Sequence, residues 1–434
     1  GAAPDGDPRP SGERWLATVD AADRLRHVGP RAGDADGGGA REHRRKRVAA
    51  QRAERLVGRD RVLVAIARAG AGTGEANRCA DRSGRDLERA GAHHNKVFFT
   101  NGGADGIENA IRLVRLHTNR HKVLSFYRSY HGNTGAAITS TGDPRRWPNE
   151  YAYGHVHFFG PYLYRSAFWA QNEEEECKRA LEHLEQVIIF EGPNTVAAIL
   201  IESVVGTAGV LVPPVGYLEG VRALCDKYGI KWIADEVMSG FGRTGKWFAY
   251  QHSSAEPDLI VFAKGVNSGY VPLGGVIISD EIAATFNDRV FPGGLTYSGH
   301  PLATAAAVAT IDVMAEEKMI ENAAAIGENV IKPLLQELMA KHKVIGEVRG
   351  KGVFWALDLV TDRATRAPLA PYGASSPAMN ELVAACKKLG LFPFNNYNRM
   401  HICPPCNVTE AEIREGFAIL DQAFASIAHH YTGA

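Results

Sequence analysis

Two side chains that could serve one chemistry each follow a buried apolar run. Asp235 comes after residues 230–234, and Lys264 comes after residues 259–263. A lysine amine can bind an aldehyde covalently and then act as a base, while a carboxylate can keep a pyridine nitrogen protonated. An acid and a lysine at two strand ends are what an enzyme needs to hold and activate a pyridine aldehyde cofactor.

Three near-continuous apolar runs predict the strands that must position these side chains. The runs are residues 196–201, 231–234 and 259–262. Runs without alternation indicate strands buried on both faces of a mainly parallel sheet. Glu202, Asp235 and Lys264 follow the runs, and ligands of open α/β sheets bind outside the carboxyl ends of the strands. We therefore expect these three side chains to converge. Residues 274–278 predict a fourth strand, for which the opposite direction is open.

A glycine turn feeds a helix farther upstream. Residues 97–100 predict a short strand and residues 101–105 a turn, after which Ile107, Ala110 and Ile111 follow at helical spacing. The free amides at such a helix N-terminus suit a phosphate. Many turns of this kind need glycine for the turn alone, so the turn by itself leaves both possibilities open.

Tyr130 and His131 follow the strand predicted at residues 122–126. The tyrosine ring could lie against a flat ligand or pack at the edge of the core. Residues 143–176 are rich in Pro, Tyr, Trp and Asn, which predicts a long functional loop over the surface.

Composition favours an ordinary globular enzyme. Lys+Arg 49 and Asp+Glu 49 balance, which gives no reason to expect a nucleic-acid or membrane partner. No apolar run approaches the roughly 18 to 20 residues that span a bilayer, and no signal-peptide core is visible, so we expect a cytoplasmic location. The six cysteines do not suggest a disulfide framework. Cys403 and Cys406 lack a second pair of ligands, and no metal site is expected.

The length of 434 residues predicts more than one core. We expect a large α/β domain at residues 95–330 and a smaller α+β domain at residues 331–434. Residues 1–94 differ, because they are rich in arginine and Trp15 is their one aromatic residue. They could be a solvated arm, a basic arm for nucleic acid, or a part of the small domain read in a shifted frame. Our hypothesis is the third, with the correct frame resuming near Gly91.

Several motifs occur in one order along the chain. They are Asn-Gly-Gly-Ala-Asp at 101–105, Tyr-His-Gly at 130–132, Ile-Ala-Asp-Glu-Val at 233–237, Phe-Gly-Arg-Thr-Gly at 241–245, Phe-Ala-Lys-Gly at 262–265 and Thr-Tyr-Ser-Gly-His-Pro at 296–301. Their types and spacing resemble the class III aminotransferases, over residues 95–434. The resemblance implies pyridoxal 5'-phosphate as cofactor and fold type I, with a mainly parallel sheet flanked by helices and a smaller α+β domain. It also implies a homodimer, or a tetramer, with shared active sites.

The resemblance also implies roles for the chargeable residues. Lys264 would bind the cofactor aldehyde and then move a proton, and Asp235 would pair with the pyridine nitrogen. Glu202 and His131 would lie beside the cofactor.

The remaining contacts to the cofactor are implied in the same way. Gly103 and Ala104 would offer backbone amides to the phosphate, and Ala104 stands where relatives commonly have a hydroxyl. Tyr130 and Val237 would pack on the two faces of the ring. Thr296 would reach the phosphate of the neighbouring subunit.

Substrate choice depends on fewer residues. The chain looks most similar to taurine:pyruvate and β-alanine:pyruvate (ω-) aminotransferases, whose donor amine is terminal and whose acceptor is a small 2-oxo acid. A substrate carboxylate needs a cation, for which Arg399 is the candidate, with a structural salt bridge as the alternative. Relatives that convert amines carry a mobile arginine where this chain has residues 394–396, Phe-Asn-Asn.

Two alternatives remain for the activity. A decarboxylase or an aminomutase of the same fold would use the same lysine and aspartate. A protein of another class, which binds the cofactor without catalysis or acts as a regulator, could also retain the fold.

Overall fold

The computed structural model describes residues 93–434, which contain two β-sheets, each with its own helices and apolar core. The predictions for residues 1–92, including the shifted reading frame, lie outside the described residues. Helices and strands are numbered below in chain order from residue 93.

The larger sheet has seven strands in the order β1-β7-β6-β5-β4-β2-β3. They are β1 (His94–Thr100), β2 (Lys122–Phe126), β3 (His155–Phe158), β4 (Val196–Glu202), β5 (Lys231–Asp235), β6 (Leu259–Phe262) and β7 (Gly274–Ser279). β7 pairs antiparallel with β1 and with β6, and the other pairs are parallel. The mainly parallel sheet is confirmed, and the strand at residues 274–278 does run in the opposite direction.

Helices cover both faces of this sheet. They are α1 (Gly103–Thr118), α2 (Gly135–Ser140), α3 (Glu173–Glu191), α4 (Tyr217–Tyr228), α5 (Asp280–Ala284) and α6 (Pro301–Glu316). Ile107 and Ile111 of α1 belong to the apolar cluster on one face, and Leu184 of α3 and Val221 of α4 belong to the cluster on the other. Every residue of β4 is buried. Burial on both faces is the reason that the central strands show no alternation of polar and apolar residues.

The long loop predicted over residues 143–176 is wrong at the edge of the sheet, because strand β3 lies inside this segment and pairs parallel with β2. The strand is short, only Phe158 is fully buried, and two of its residues are histidines. Edge strands need no apolar run, so the sequence pattern does not reveal it.

The smaller sheet is antiparallel and lies in the C-terminal part. Its strands are β8 (Ile345–Lys351), β9 (Phe354–Asp362), β10 (Ala367–Pro368), β11 (Phe394–Asn396) and β12 (Arg399–Ile402). Their order is β10-β9-β12-β11, and β8 also pairs with β9. The remaining helices are α7 (Met319–Ile326), α8 (Lys332–Lys341), α9 (Pro377–Lys388) and α10 (Glu410–Ser426). Helix α10 starts with a capping box, in which Thr409 and Glu412 exchange hydrogen bonds. This part has the expected α+β character.

The apolar core changes within α7. Ile320 packs with the large sheet, whereas Ala323 packs with the core of the small sheet. The division expected at residue 330 lies a few residues beyond this change, and the domain bounds stay a prediction. Within residues 93–434, no helix is both long enough and apolar enough to cross a membrane.

Candidate active site

A cleft of about 410 Å³ lies at the carboxyl ends of the central strands. It brings together eight of the residues singled out from the sequence: Gly103, Ala104, Tyr130, His131, Glu202, Asp235, Val237 and Lys264. They come from the ends of four strands and from the start of α1, as the position of ligand sites in open α/β sheets predicts.

The carboxylate of Asp235 is buried at the end of β5 and held by two donors. His131 Nδ1 lies 2.7 Å from Oδ2, and the backbone amide of Val237 donates to Oδ1 at 3.0 Å. The side chains of His131 and Asp235 are 0% and 4% exposed. Because each oxygen has its own donor, the carboxylate keeps one orientation toward the cleft.

A second carboxylate lies beside it, because Glu202 and Asp235 are register partners on β4 and β5. Glu202 accepts hydrogen bonds from the amides of Tyr130 at 3.1 Å and Gly206 at 2.8 Å. Burial and the neighbouring Asp235 raise the pKa of Glu202 to about 7. Two acids around one histidine leave this end of the cleft short of positive charge, which favours a cationic ligand there.

Helix α1 points its N-terminus at the same cleft. Its first intrahelical hydrogen bond runs from the Gly106 amide to the Gly102 carbonyl, at 3.1 Å, so the amides of Gly103 and Ala104 are not used within the helix. A Cβ on Gly103 would lie 2.9 Å from the Val237 methyl groups. Glycine thus permits a close approach of the helix start to Val237, and the positive end of the helix dipole suits a phosphate.

Lys264 follows β6 and starts a short 3₁₀ turn, Lys264–Asn267. Its backbone has a positive φ of 46°, a left-handed conformation that is uncommon for a side chain other than glycine. The side chain is exposed and lines the cleft. Backbone strain of this kind persists where the surroundings impose it, and it clusters at functional sites.

Tyr130 is the aromatic residue of the cleft. Its amide is held by Glu202, and the guanidinium carbon of Arg145 lies 3.5 Å from the centroid of its ring. Of the two possibilities left by the sequence, the structure places this ring at the cleft rather than in the apolar core.

Thr296 lies elsewhere. It is exposed, in a turn before α6, and it does not line the cleft of its own chain. Its implied contact with the cofactor of a neighbouring subunit stays a prediction.

Arg399 does not have the surroundings expected of a substrate ligand. Its side chain is buried on β12, does not line the cleft, and donates to the carbonyl oxygens of Ala208 and of Asn396. The alternative of a structural role is closer to what is observed, although the partners are carbonyls and not a carboxylate. Two of its donors, Nε and Nη1, are thus used within the protein, which is what a structural role requires.

Arg399 is one of four side chains of the small sheet that hold a single loop, residues 206–209. The loop follows β4, and Thr207 within it lines the cleft. His401 Nε2 lies 3.3 Å from the carbonyl oxygen of Gly206, Asn396 donates to Thr207 at 2.9 Å, Arg399 donates to Ala208, and Arg349 donates to Gly209 at 2.7 Å. The small sheet therefore positions one wall of the cleft.

Several residues at the cleft were not singled out from the sequence. Asn133, Thr207, Met238 and Asn267 also line it. Thr207 follows strand β4, and Asn267 lies one turn beyond Lys264, so the rule about strand ends could have found both. No local pattern points to Asn133 or Met238.

The donor set of this cleft fits pyridoxal 5'-phosphate. A doubly held carboxylate suits a protonated pyridine nitrogen, an aromatic ring suits its face, and unused helix amides suit its phosphate. The buried Nε2 of His131 has no hydrogen-bond partner within residues 93–434, which is consistent with a further polar group in the cleft.

The comparisons with known proteins agree with this chemistry. The family model of aminotransferase class III matches residues 66–424. Taurine–pyruvate aminotransferase of Bilophila wadsworthia is 36% identical over 353 residues, which cover 76% of each chain. Putrescine–pyruvate aminotransferase of Pseudomonas aeruginosa is 36% identical over 356 residues, which cover 79% of this chain and 76% of the relative.

Solved structures give the same result. Taurine:2-oxoglutarate aminotransferase from Bifidobacterium kashiwanohense, in complex with pyridoxal phosphate and glutamate, is 41% identical, with a TM-score of 0.79 and 85% of each chain covered. An (S)-enantioselective ω-transaminase from Thermomicrobium roseum is 37% identical, with a TM-score of 0.74 and coverage of 80% and 78%. The chain belongs to the class III aminotransferases, and it is an enzyme that depends on pyridoxal phosphate.

Proposed function

We propose that this enzyme transfers an amino group from a terminal-amine donor, such as taurine, β-alanine or another ω-amino acid or amine, to a small 2-oxo acid such as pyruvate. The observation that carries the proposal is the shared cleft of Lys264 and the buried Asp235, which is the pair that the chemistry needs. The donors of the relatives, taurine and putrescine, support a terminal amine, and their acceptors are pyruvate and 2-oxoglutarate.

Each side chain of the cleft has a distinct task in this proposal. Bound pyridoxal phosphate supplies a cationic ring that accepts the electrons released when the substrate carbon loses a proton. Lys264 would hold the cofactor through its aldehyde carbon. Once the substrate amine has displaced it, Nζ would carry the proton from the substrate carbon to that cofactor carbon. Asp235, oriented by His131 and Val237, holds a proton on the ring nitrogen. The amides of Gly103 and Ala104 hold the phosphate, and Tyr130 and Val237 hold the ring.

A panel of donors tests the proposal. Taurine, β-alanine, putrescine and γ-aminobutyrate are each offered with pyruvate or with 2-oxoglutarate, and the alanine or glutamate formed is quantified. We expect one amino acid formed for each donor consumed. Release of carbon dioxide without amination of the oxo acid would indicate a decarboxylase, and isomerisation of the donor alone would indicate an aminomutase. Bound cofactor whose absorbance does not respond to any donor would favour the non-catalytic alternative.

We also propose a cytoplasmic homodimer in which Thr296 contributes to the partner's site. Exposed apolar side chains near Thr296 support an interface here, since Tyr297 is 67% and Leu302 58% exposed. Sedimentation of the purified enzyme measures the assembly, and cofactor titration of Thr296→Ala measures the contact. A monomer, or unchanged cofactor affinity in a dimer, would contradict the shared site.

A further inference from the structure

We infer that Arg145 is the cation that recognises the anionic group of the substrate, a carboxylate or a sulfonate. This inference rests on the proposed function, because a 2-oxo acid, taurine and β-alanine each carry such a group at one end.

The cleft itself lacks a suitable cation. Within residues 93–434, its lining contains Glu202 and Asp235 but no arginine, and Lys264 is its one lysine. In the proposed function, Lys264 binds the cofactor and is not free to bind the anionic group of a substrate. Among the described residues, a cation for an anionic substrate must therefore come from outside this lining, and a guanidinium is the group best matched to a carboxylate.

Arg145 lies against Tyr130, one of the residues that line the cleft. It belongs to the short turn Pro144–Arg146, after helix α2, and its guanidinium carbon lies 3.5 Å from the centroid of the Tyr130 ring. Tyr130 lines the cleft and is anchored to Glu202 by its amide. The cation is thus separated from the cofactor site by no more than the thickness of one lining residue.

Asp143 holds this guanidinium by one edge. The carboxylate of Asp143 accepts from Nε of Arg145 at 3.0 and 2.9 Å, from its Nη2, and from its backbone amide at 2.9 Å. The Asp143 side chain is 8% exposed, whereas 45% of the Arg145 side chain is exposed. No partner for Nη1 is found within the described part of the chain. One edge is therefore fixed and the other is available to a ligand.

Arg399, by comparison, is buried, and its Nε and Nη1 donate to the carbonyl oxygens of Asn396 and Ala208. A guanidinium that is already ordered loses little conformational entropy when an anion binds, which favours affinity. The Arg145 guanidinium and the Asp143 carboxylate together carry little net charge. Binding therefore depends on a hydrogen bond from Nη1 to the anion more than on charge attraction.

The test compares Arg145→Gln with Arg145→Lys and, as a matched control, Arg146→Gln in the same turn. Arg146 pairs with the exposed Glu150 and not with Asp143. The holoenzymes are assayed with pyruvate against a good donor, and single-turnover amination of the cofactor is followed with taurine and with putrescine, which carries no anionic group.

For Arg145→Gln we expect the KM for pyruvate to rise about 10- to 100-fold, as for loss of a hydrogen bond to a charged group, with a smaller change in kcat. The affinity for taurine should fall by a similar factor, and that for putrescine by less than about twofold. Arg145→Lys should recover part of the loss because it keeps the charge without the planar geometry. Arg146→Gln should leave all three constants within about twofold.

An equal loss for putrescine and taurine, or an unchanged KM for pyruvate in a folded Arg145→Gln enzyme, would overturn the inference. Thermal unfolding and the visible absorbance of the bound cofactor show whether each variant is folded. If Arg145→Gln does not fold, the same comparison of taurine with putrescine is made with Arg145→Lys. Failure of the wild-type enzyme to aminate any oxo acid is a separate result, which would remove the proposed function itself.

Discussion

The cofactor end of the cleft, formed by Glu202, Asp235, His131 and Lys264, is built at the ends of the central strands of a buried parallel sheet. The rim, formed by Arg145 and the loop at residues 206–209, is built from a three-residue turn and from a loop held by the small sheet. The end of a buried strand can adopt few backbone conformations, so the backbone positions of Asp235 and Lys264 can vary little. A turn and a loop can change without disturbing the core, which suits a choice among substrates.

The charges follow the same division. At the cofactor end, both carboxylates are buried and are held by Tyr130, His131 and Gly206, which lie in the loops after β2 and β4. At the rim, Arg145 is half exposed and holds its carboxylate by one edge only. Substitutions at the cofactor end should therefore remove chemistry for every substrate, while those at the rim should change which substrates are used.

The largest effect is expected for Lys264→Ala. Turnover should fall by at least about 10³-fold for every donor, because both the covalent anchor and the proton-transfer group are lost. The visible absorbance of the lysine-bound cofactor should disappear. Lys178→Ala, on the exposed face of α3, serves as the control. A Lys264→Ala enzyme that kept both signals would refute the assignment of the lysine.

Asp235→Asn should come next. The amide can still accept from Val237, but it no longer stabilises a proton on the ring nitrogen, so kcat should fall about 10²- to 10⁴-fold. The affinity for the cofactor should change much less, since other groups hold the phosphate and ring. Equal losses of kcat for taurine and putrescine would sharpen the contrast with Arg145, whereas a loss confined to one donor would break it.

Arg399→Leu tests the expectation that this arginine of the small sheet supports the structure and does not select the substrate. Removing a donor from the buried carbonyl of Ala208 should lower the free energy of unfolding by about 1–3 kcal/mol. Because residues 206–209 form one wall of the cleft, constants for all substrates should worsen together. Chemical denaturation measures the first effect and steady-state kinetics the second. A stable variant with a selectively raised KM for pyruvate would restore Arg399 as the substrate ligand.

Glu202 should make the stability of the cofactor-free protein depend on pH. Its pKa is raised from 4.5 to about 7 by burial and by Asp235, so between these values the folded protein holds a proton that the unfolded chain has lost. The stabilisation is complete below about pH 4.5 and is lost as the pH rises through about 7. The Tm of the wild type should therefore fall relative to Glu202→Gln across this range. If the curves of Tm against pH were parallel for the two proteins, the raised pKa of Glu202 would be contradicted.

The smallest effect is expected for Ala104→Ser. A hydroxyl at the start of α1 could add one hydrogen bond to the phosphate, worth about 1 kcal/mol, or roughly a fivefold gain in cofactor affinity. The gain depends on space, because the Cβ of Ala104 packs closely on Gly132. Equilibrium titration of the cofactor-free protein measures it, and a lower affinity would show that the serine cannot avoid Gly132.

The accuracy of the sequence predictions differs between these two regions. Asp235, Glu202 and Lys264 were found because apolar runs mark strands buried on both faces, and the ends of such strands converge. Strand β3 was missed because an edge strand with two histidines carries no such run. His131, which contacts Asp235, and Ala208, which accepts from Arg399, lie far from them in the chain, and no local pattern specifies these contacts.

Sequence alone determined that an acid and a lysine would stand at two neighbouring strand ends, and that a glycine turn would open a helix beside them. These features depend on local hydrophobic pattern and turn chemistry, which are written in adjacent residues. Only the tertiary structure decided that Arg399 would be buried against the Ala208 carbonyl of a distant loop, while Arg145 would lie over Tyr130 with one edge unpaired within residues 93–434. A guanidinium can satisfy its donors in many ways, and which one is realised depends on groups that folding brings near it.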